Sequence, residues 1–127
     1  MESFFPVGLI SGINKIVLPT SEKMTKAAAE VASEMGVKHA CGIIASGDQF
    51  ISCTDRKRYI VDNFGAIACE MEGAAIGHVC YVNGVECLIV RAISDSASGE
   101  ATMEYPEMVA LAAEQSRKMT EKILERI

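Results

Sequence analysis

Apolar and polar residues follow two rhythms along this chain, one helical and one strand-like, and the changes between them mark out the elements. Residues 1 to 18 read as a loop that ends in the short apolar stretch Ile16-Val17-Leu18. From Pro19 the pattern turns helical. Thr20 or Ser21 stands where a cap would accept orphan backbone N–H groups, an alanine-rich run continues to Met35, and Gly36 is placed to end it in a left-handed conformation. Val37 to Ser46 mixes small and apolar residues as a strand does, with Gly47 to Ile51 as the loop beyond it. A second helix is predicted over Thr54 to Asn63, closed near Gly65, followed by a short buried strand from Ala66 to Cys69. Glu70 to Asn83 recovers the helical period, with Ala75, Ile76, Val79, Cys80 and Val82 as its apolar side, and Asn83-Gly84 turns the chain. Glu86 to Ile93 is the clearest strand, apolar on both faces and so expected to be central and parallel. After a small-residue loop from Ser96 to Glu104, Pro106 suits the first turn of a last helix, in which Met108, Leu111, Ala112, Met119, Ile123 and Ile127 recur at helical spacing.

Strands alternating with helices imply an α/β fold with a mainly parallel sheet, flanking helices and right-handed crossovers. Three strands are few for a parallel sheet, which normally buries both faces, so a missing partner is expected, either another segment or another subunit. The 127 residues suit one domain, 1–127, and a composition that is 50% hydrophobic can bury a core.

The net charge of −5, with Lys and Arg scattered, argues against a nucleic-acid partner; Arg56-Lys57-Arg58 reads as a solvated helix face. The 5 cysteines show no C-x-x-C spacing and are expected to be reduced core residues in a cytoplasmic setting. Met1 to Pro6 lacks the basic and apolar regions of a secretory signal, and no segment approaches membrane-spanning length. His39 and His78 have no second ligand at metal spacing, so neither a metal nor a cofactor is expected. Met24, Met35, Met108 and Met119 read as core filler.

Chemistry concentrates where acidic groups end apolar stretches, because ligands of open α/β sheets bind at the carboxyl ends of the strands. Asp95 follows Ser94 at the end of the clearest strand, where enclosure can raise a carboxyl pKa until it serves as a general acid; the alternative is a turn cap. Glu70 and Glu72 lie two positions apart and would point to different sides of a helix, so one is expected to face the crevice while the protein holds the other. An inward carboxylate suits a ribose diol, although Glu-x-Glu at a helix start also complements the macrodipole. Met71 between them could press its thioether on a sugar. Phe50, in the loop past Gly47, could stack on a planar base while the neighbouring backbone reads its edge, or tuck into the core. Arg91 is a charge inside an apolar strand and is expected to need a carboxylate or ligand partner, with Glu70, Glu72 or a missing acidic residue as candidates.

Three ordered blocks, Ser46-Gly47-Asp48-Gln49-Phe50-Ile51, Glu70-Met71-Glu72-Gly73-Ala74-Ala75-Ile76 with His78-Val79-Cys80, and Val90-Arg91-Ala92-Ile93-Ser94-Asp95, resemble the C-terminal half of the bacterial 5′-methylthioadenosine/S-adenosylhomocysteine nucleosidases, within the purine nucleoside phosphorylase superfamily. The resemblance covers most of the chain. It implies the C-terminal part of a nucleoside phosphorylase-like α/β/α sandwich, an incomplete domain over 1–127, and hydrolysis of an adenine N-glycosidic bond in methionine salvage. Asp95 would protonate adenine with Ser94 orienting it, Phe50 would stack on the base, and the Ile51 backbone would read its edge. Glu72 would hold the ribose hydroxyls, Met71 would pack on the sugar, and Arg91 would place the attacking water. Tyr105 resembles the aromatic flap over the alkylthio group, and Phe4 with Phe5 resembles a stretch that reaches a neighbouring subunit. The resemblance further implies a homodimer acting on a small nucleoside. The family's opening strands, sugar loop and water-activating glutamate find no counterpart, so these residues by themselves are expected to be inactive or nearly so. A purine nucleoside phosphorylase, a futalosine hydrolase and a non-catalytic binding or dimerisation module are the alternatives.

Overall fold

The computed structural model describes residues 5–93 and 105–127, with Tyr105 described in its backbone only. The element order is α1 (Glu22–Glu34), β1 (Ile43–Ser46), α2 (Thr54–Phe64), β2 (Ala66–Glu70), α3 (Gly73–Val82) and α4 (Tyr105–Arg126). The chain divides into two compact units, one made of Met1–Pro19 with Gly42–Glu86 and the other of Thr20–Cys41 with Cys87–Ile127.

In the first unit β1 and β2 pair in parallel, with Ser46 opposite Glu70 at their carboxyl ends and an irregularity in register between Ile43 and Ile44. The crossover between them is α2, which packs on both strands, while α3 packs on β1. Gly65 ends α2 at φ 61°, its N–H donating to the Val61 carbonyl at 2.8 Å, a conformation that favours glycine. The inward side of α3 is formed by small residues. Gly73 and Gly77 are its buried positions, and Gly77 lies so close to Leu18 that an added Cβ would sit 3.4 Å from the leucine side chain. The residues expected to form its apolar side face outward instead: Ala75, Ile76, Val79 and Val82 are exposed and Cys80 is half-buried.

The second unit is built on α1 and α4. Ser21 caps α1 through its hydroxyl, which accepts from the Met24 N–H at 3.3 Å, and Val37 donates to the Ala32 carbonyl across Gly36 to close the other end. Val31, fully buried, meets Ala28 and Ile123, with Met35, Leu88 and Met119 packed around them. Leu111 and Ile127, expected in the same stripe, are exposed. Arg126 of α4 pairs with Glu34 at 2.7 Å and Glu30 at 3.5 Å on α1. The Arg126 hydrogen bond holds the Glu34 carboxyl below the usual carboxylate range, and bonds from Arg117, then Lys118, lower Glu114 to about 2. Lowered carboxylate pKa values contribute stability that is present above the ordinary value of 4.5 and lost as pH falls through the folded-state values. The midpoint of thermal unfolding, followed by circular dichroism, is therefore expected to drop on acidification from pH 4.5 towards 2, and the drop should shrink in Glu34→Gln and Glu114→Gln. Salt should blunt the effect, since the pairs are exposed.

Two expectations are corrected. Glu86 to Ile93 is not a strand: among the described residues the sheet has two strands, and Val90, Arg91 and Ile93 are exposed. A strand exists only through a paired neighbour, and apolar composition does not supply one. The cysteines are not generally core residues either, since Cys41, Cys53 and Cys69 are exposed, Cys80 is half-buried and only Cys87 is buried; all are free thiols. Cys41 and Cys53 fall in non-strand connections, where a small apolar side chain has no layer to enter.

Candidate active site

Parallel pairing brings the ends of β1 and β2 side by side, and a single carboxylate organises the ground beyond them. Glu70, last residue of β2, accepts the Ser46 hydroxyl from the last position of β1. Its Oε1 also accepts the Gly73 N–H at 2.9 Å, and its Oε2 accepts the N–H groups of Gly73 at 2.7 Å and Glu72 at 3.0 Å. The Ser46 Oγ in turn accepts the Ala74 N–H at 2.8 Å. The first N–H groups of α3, which have no carbonyl to donate to within the helix, are thus satisfied from the neighbouring strands, and negative charge sits at the positive end of the helix dipole. A Cβ at Gly73 would lie 2.8 Å from the Glu70 Oε1, so a larger residue there would have to displace that carboxylate.

Glu70 thus joins β1, β2 and the start of α3. Glu72 and Met71 form the exposed turn between β2 and α3, where Glu72 Oε2 accepts the Met71 N–H at 3.2 Å. The helix expected from Glu70 accordingly starts at Gly73.

Next to this turn, a hollow of about 440 Å³ opens at the strand ends, lined by Ala45 and Ser46 of β1, by Asp48, Gln49 and Ile51 after it, by Cys69 and Glu70 of β2, and by Arg56, Tyr59 and Ile60 of α2. Its volume falls within the range of small-molecule sites. Ile51 lines this hollow, whereas Phe50, Met71 and Glu72 are not among its lining residues. Phe50 beside it is 80% exposed, so the core alternative does not hold for its side chain. Arg56, Tyr59 and Ile60 were not singled out for this wall. Their spacing of i, i+3 and i+4 puts them on one side of α2, which is the pattern that could have found them.

Arg91 belongs to the other unit and is exposed, which corrects the expectation of a charge inside an apolar strand: without a strand there is no buried site for it to occupy. Ser94 and Asp95 lie outside the described residues, and Tyr105 opens α4. Among the described residues no group of three His, Cys, Asp or Glu side chains is arranged to hold a metal ion, and no helix is long and apolar enough to cross a membrane.

A parallel β-α-β unit with its hollow at the strand ends is an arrangement of nucleotide- and nucleoside-binding α/β proteins. The sequence profile of the phosphorylase superfamily matches residues 14–127, and the chain belongs to that superfamily. Within it, an aminodeoxyfutalosine nucleosidase of Campylobacter jejuni is 41% identical over 122 residues, 96% of this chain and 53% of that protein. A 5′-methylthioadenosine/S-adenosylhomocysteine nucleosidase of Actinobacillus succinogenes is 44% identical over 101 residues, 79% of this chain and 44% of that protein. The crystal structure of a Campylobacter jejuni 5′-methylthioadenosine/S-adenosylhomocysteine nucleosidase matches with a TM-score of 0.88 at 41% identity, covering 97% of this chain and 53% of that one. The futalosine hydrolase of Helicobacter pylori matches with a TM-score of 0.85 at 35% identity, over 98% and 52% respectively. The chain spans about half the length of the relatives it matches.

Proposed function

We propose that the chain forms the base- and ribose-recognising part of a nucleosidase that hydrolyses the N-glycosidic bond of 5′-methylthioadenosine or S-adenosylhomocysteine to adenine and a thioribose. The observation that supports the reading is a hollow of about 440 Å³ at the carboxyl ends of the paired strands, with Ile51 and Glu70 in its wall. Glu72 is then the carboxylate assigned to the ribose hydroxyls, with Met71 against the sugar. Phe50 stacks on the adenine and the backbone of Ile51 reads its edge. Asp95, oriented with Ser94, donates its proton to N7 of the purine, so that adenine leaves with the bonding pair of the C–N bond and the sugar passes through an oxocarbenium-like state. Water placed with the help of Arg91 adds to the anomeric carbon and gives up a proton, and Tyr105 covers the alkylthio group.

A water-activating glutamate has no assigned position among these residues, so catalysis requires that group from elsewhere; positioning of a nucleophile accounts for much of a hydrolase's advantage. A cytoplasmic homodimer is part of the reading. Futalosine-type nucleosides are the second reading, favoured by the Campylobacter jejuni relative that matches 96% of the chain. Adenine release from methylthioadenosine, adenosylhomocysteine and aminodeoxyfutalosine, assayed side by side with and without phosphate, separates these readings.

Calorimetry on the 127-residue chain tests the binding part directly. Adenine is expected to bind, and Phe50→Ala should weaken it by about tenfold or more, the scale of a lost base–aromatic stack. The same variant should unfold within about 0.5 kcal/mol of the parent, because the ring is exposed. Failure of adenine and methylthioadenosine alike to bind would remove the nucleoside reading.

A further inference from the structure

An acidic residue at the N-cap of a helix has a ready use for its carboxylate: the first N–H groups of the helix have no carbonyl to donate to, and a cap side chain accepts from the second or third of them. Glu72 is the N-cap of α3, yet its side chain makes no cap hydrogen bond. The donors are taken by residues of the sheet instead. Gly73, the first helical residue, donates to Glu70 at 2.7 Å, and Ala74, the second, donates to the Ser46 Oγ at 2.8 Å. The Ser46 hydroxyl in turn donates to Glu70, which also accepts the N–H of Glu72 at 3.0 Å. Glycine at position 73 leaves room for this, since a Cβ there would stand 2.8 Å from the Glu70 Oε1. The Glu72 carboxylate thus stays out of the helix start: the residue is exposed, and its Oε2 accepts the Met71 N–H at 3.2 Å.

We propose that Ser46 is a positioning residue for ligand binding: by occupying the Ala74 N–H and fastening Glu70 to Gly73 and Glu72, it keeps the Glu72 carboxylate from capping α3 and leaves it to accept the hydroxyls of a ribose. Removal of the Ser46 hydroxyl orphans the Ala74 N–H, and the N-cap carboxylate of Glu72 then turns back to it, as cap side chains do. The helix start regains a partner while the sugar loses one. The ribose half of the inference rests on the functional reading; the competition for the Ala74 N–H does not.

Both halves are measured on the 127-residue chain. In calorimetry, 5′-methylthioadenosine is expected to bind the parent about tenfold or more tighter than its 2′-deoxy counterpart, the scale of a hydroxyl bonded to a charged acceptor. In Ser46→Ala, as in Glu72→Ala, that preference should fall to about twofold or less, with adenine affinity equal to the parent's. A Ser46→Ala protein that keeps the preference overturns the proposal. So does one that loses adenine and nucleoside affinity in equal measure, the mark of a hydroxyl that only holds the fold, and so does a parent indifferent to the 2′-hydroxyl. Urea unfolding followed by far-UV circular dichroism supplies a comparison without ligand. Glu72→Ala should leave the midpoint of the parent unchanged and lower that of Ser46→Ala, because only in the second background does the carboxylate cap the helix. Equal effects in the two backgrounds overturn the proposal. If neither adenine nor methylthioadenosine binds the parent, the nucleoside reading falls and the ribose role with it; a parent that binds both while the urea comparison fails loses the positioning role alone.

Discussion

Asp95→Asn is expected to lower the rate of adenine release by about 10²–10⁴-fold, the span that positioned general acids contribute. The measurement belongs in a form of the protein that releases adenine at a measurable parent rate. An amide of the same shape cannot supply a proton, so the loss should fall on kcat, with KM altered little, because ground-state contacts to base and sugar remain. The limb of the pH–rate profile that reports the acid should vanish as well. Retention of a tenth of the parent rate would remove Asp95 from the role of proton donor and return it to that of a turn cap.

Glu70→Ala carries the largest expected effect on stability. The substitution strips acceptors from the backbone N–H groups of Glu72 and Gly73 and from the Ser46 hydroxyl. Hydrogen bonds to a charged group contribute about 1.5–3 kcal/mol each, and orphaned donors add to the cost, so a loss of about 2–3 kcal/mol in urea unfolding is expected after water replaces part of the contacts. Ser46→Ala should lose about 1 kcal/mol. The two losses should not add, since both variants dismantle one network. A Glu70→Ala protein within 0.5 kcal/mol of the parent would mean that the carboxylate does not hold the start of α3.

Helix ends were the most legible part of the sequence, because their chemistry is local. Ser21 and Gly36 bracket α1, and Gly65 closes α2 at positive φ, each acting on residues a few positions away. Pairing is not local. The stretch from Glu86 to Ile93 has the composition of a central strand, yet whether it becomes one depends on a neighbour that no residue within it specifies. The same blind spot placed Arg91 inside and turned the apolar side of α3 inward. At the site, the hold on Glu70 could not be anticipated from its spacing to Glu72, because its partner, Ser46, is 24 residues earlier in the chain and arrives only through the parallel register.

The bonds around Glu70 also decide what can move. One side chain fastens two strand ends and a helix start together, as a single bolt joins three plates. The short span carrying Met71 and Glu72 is tethered at both ends by that fastening, so a substitution that frees Glu70 should loosen the turn together with the strand ends.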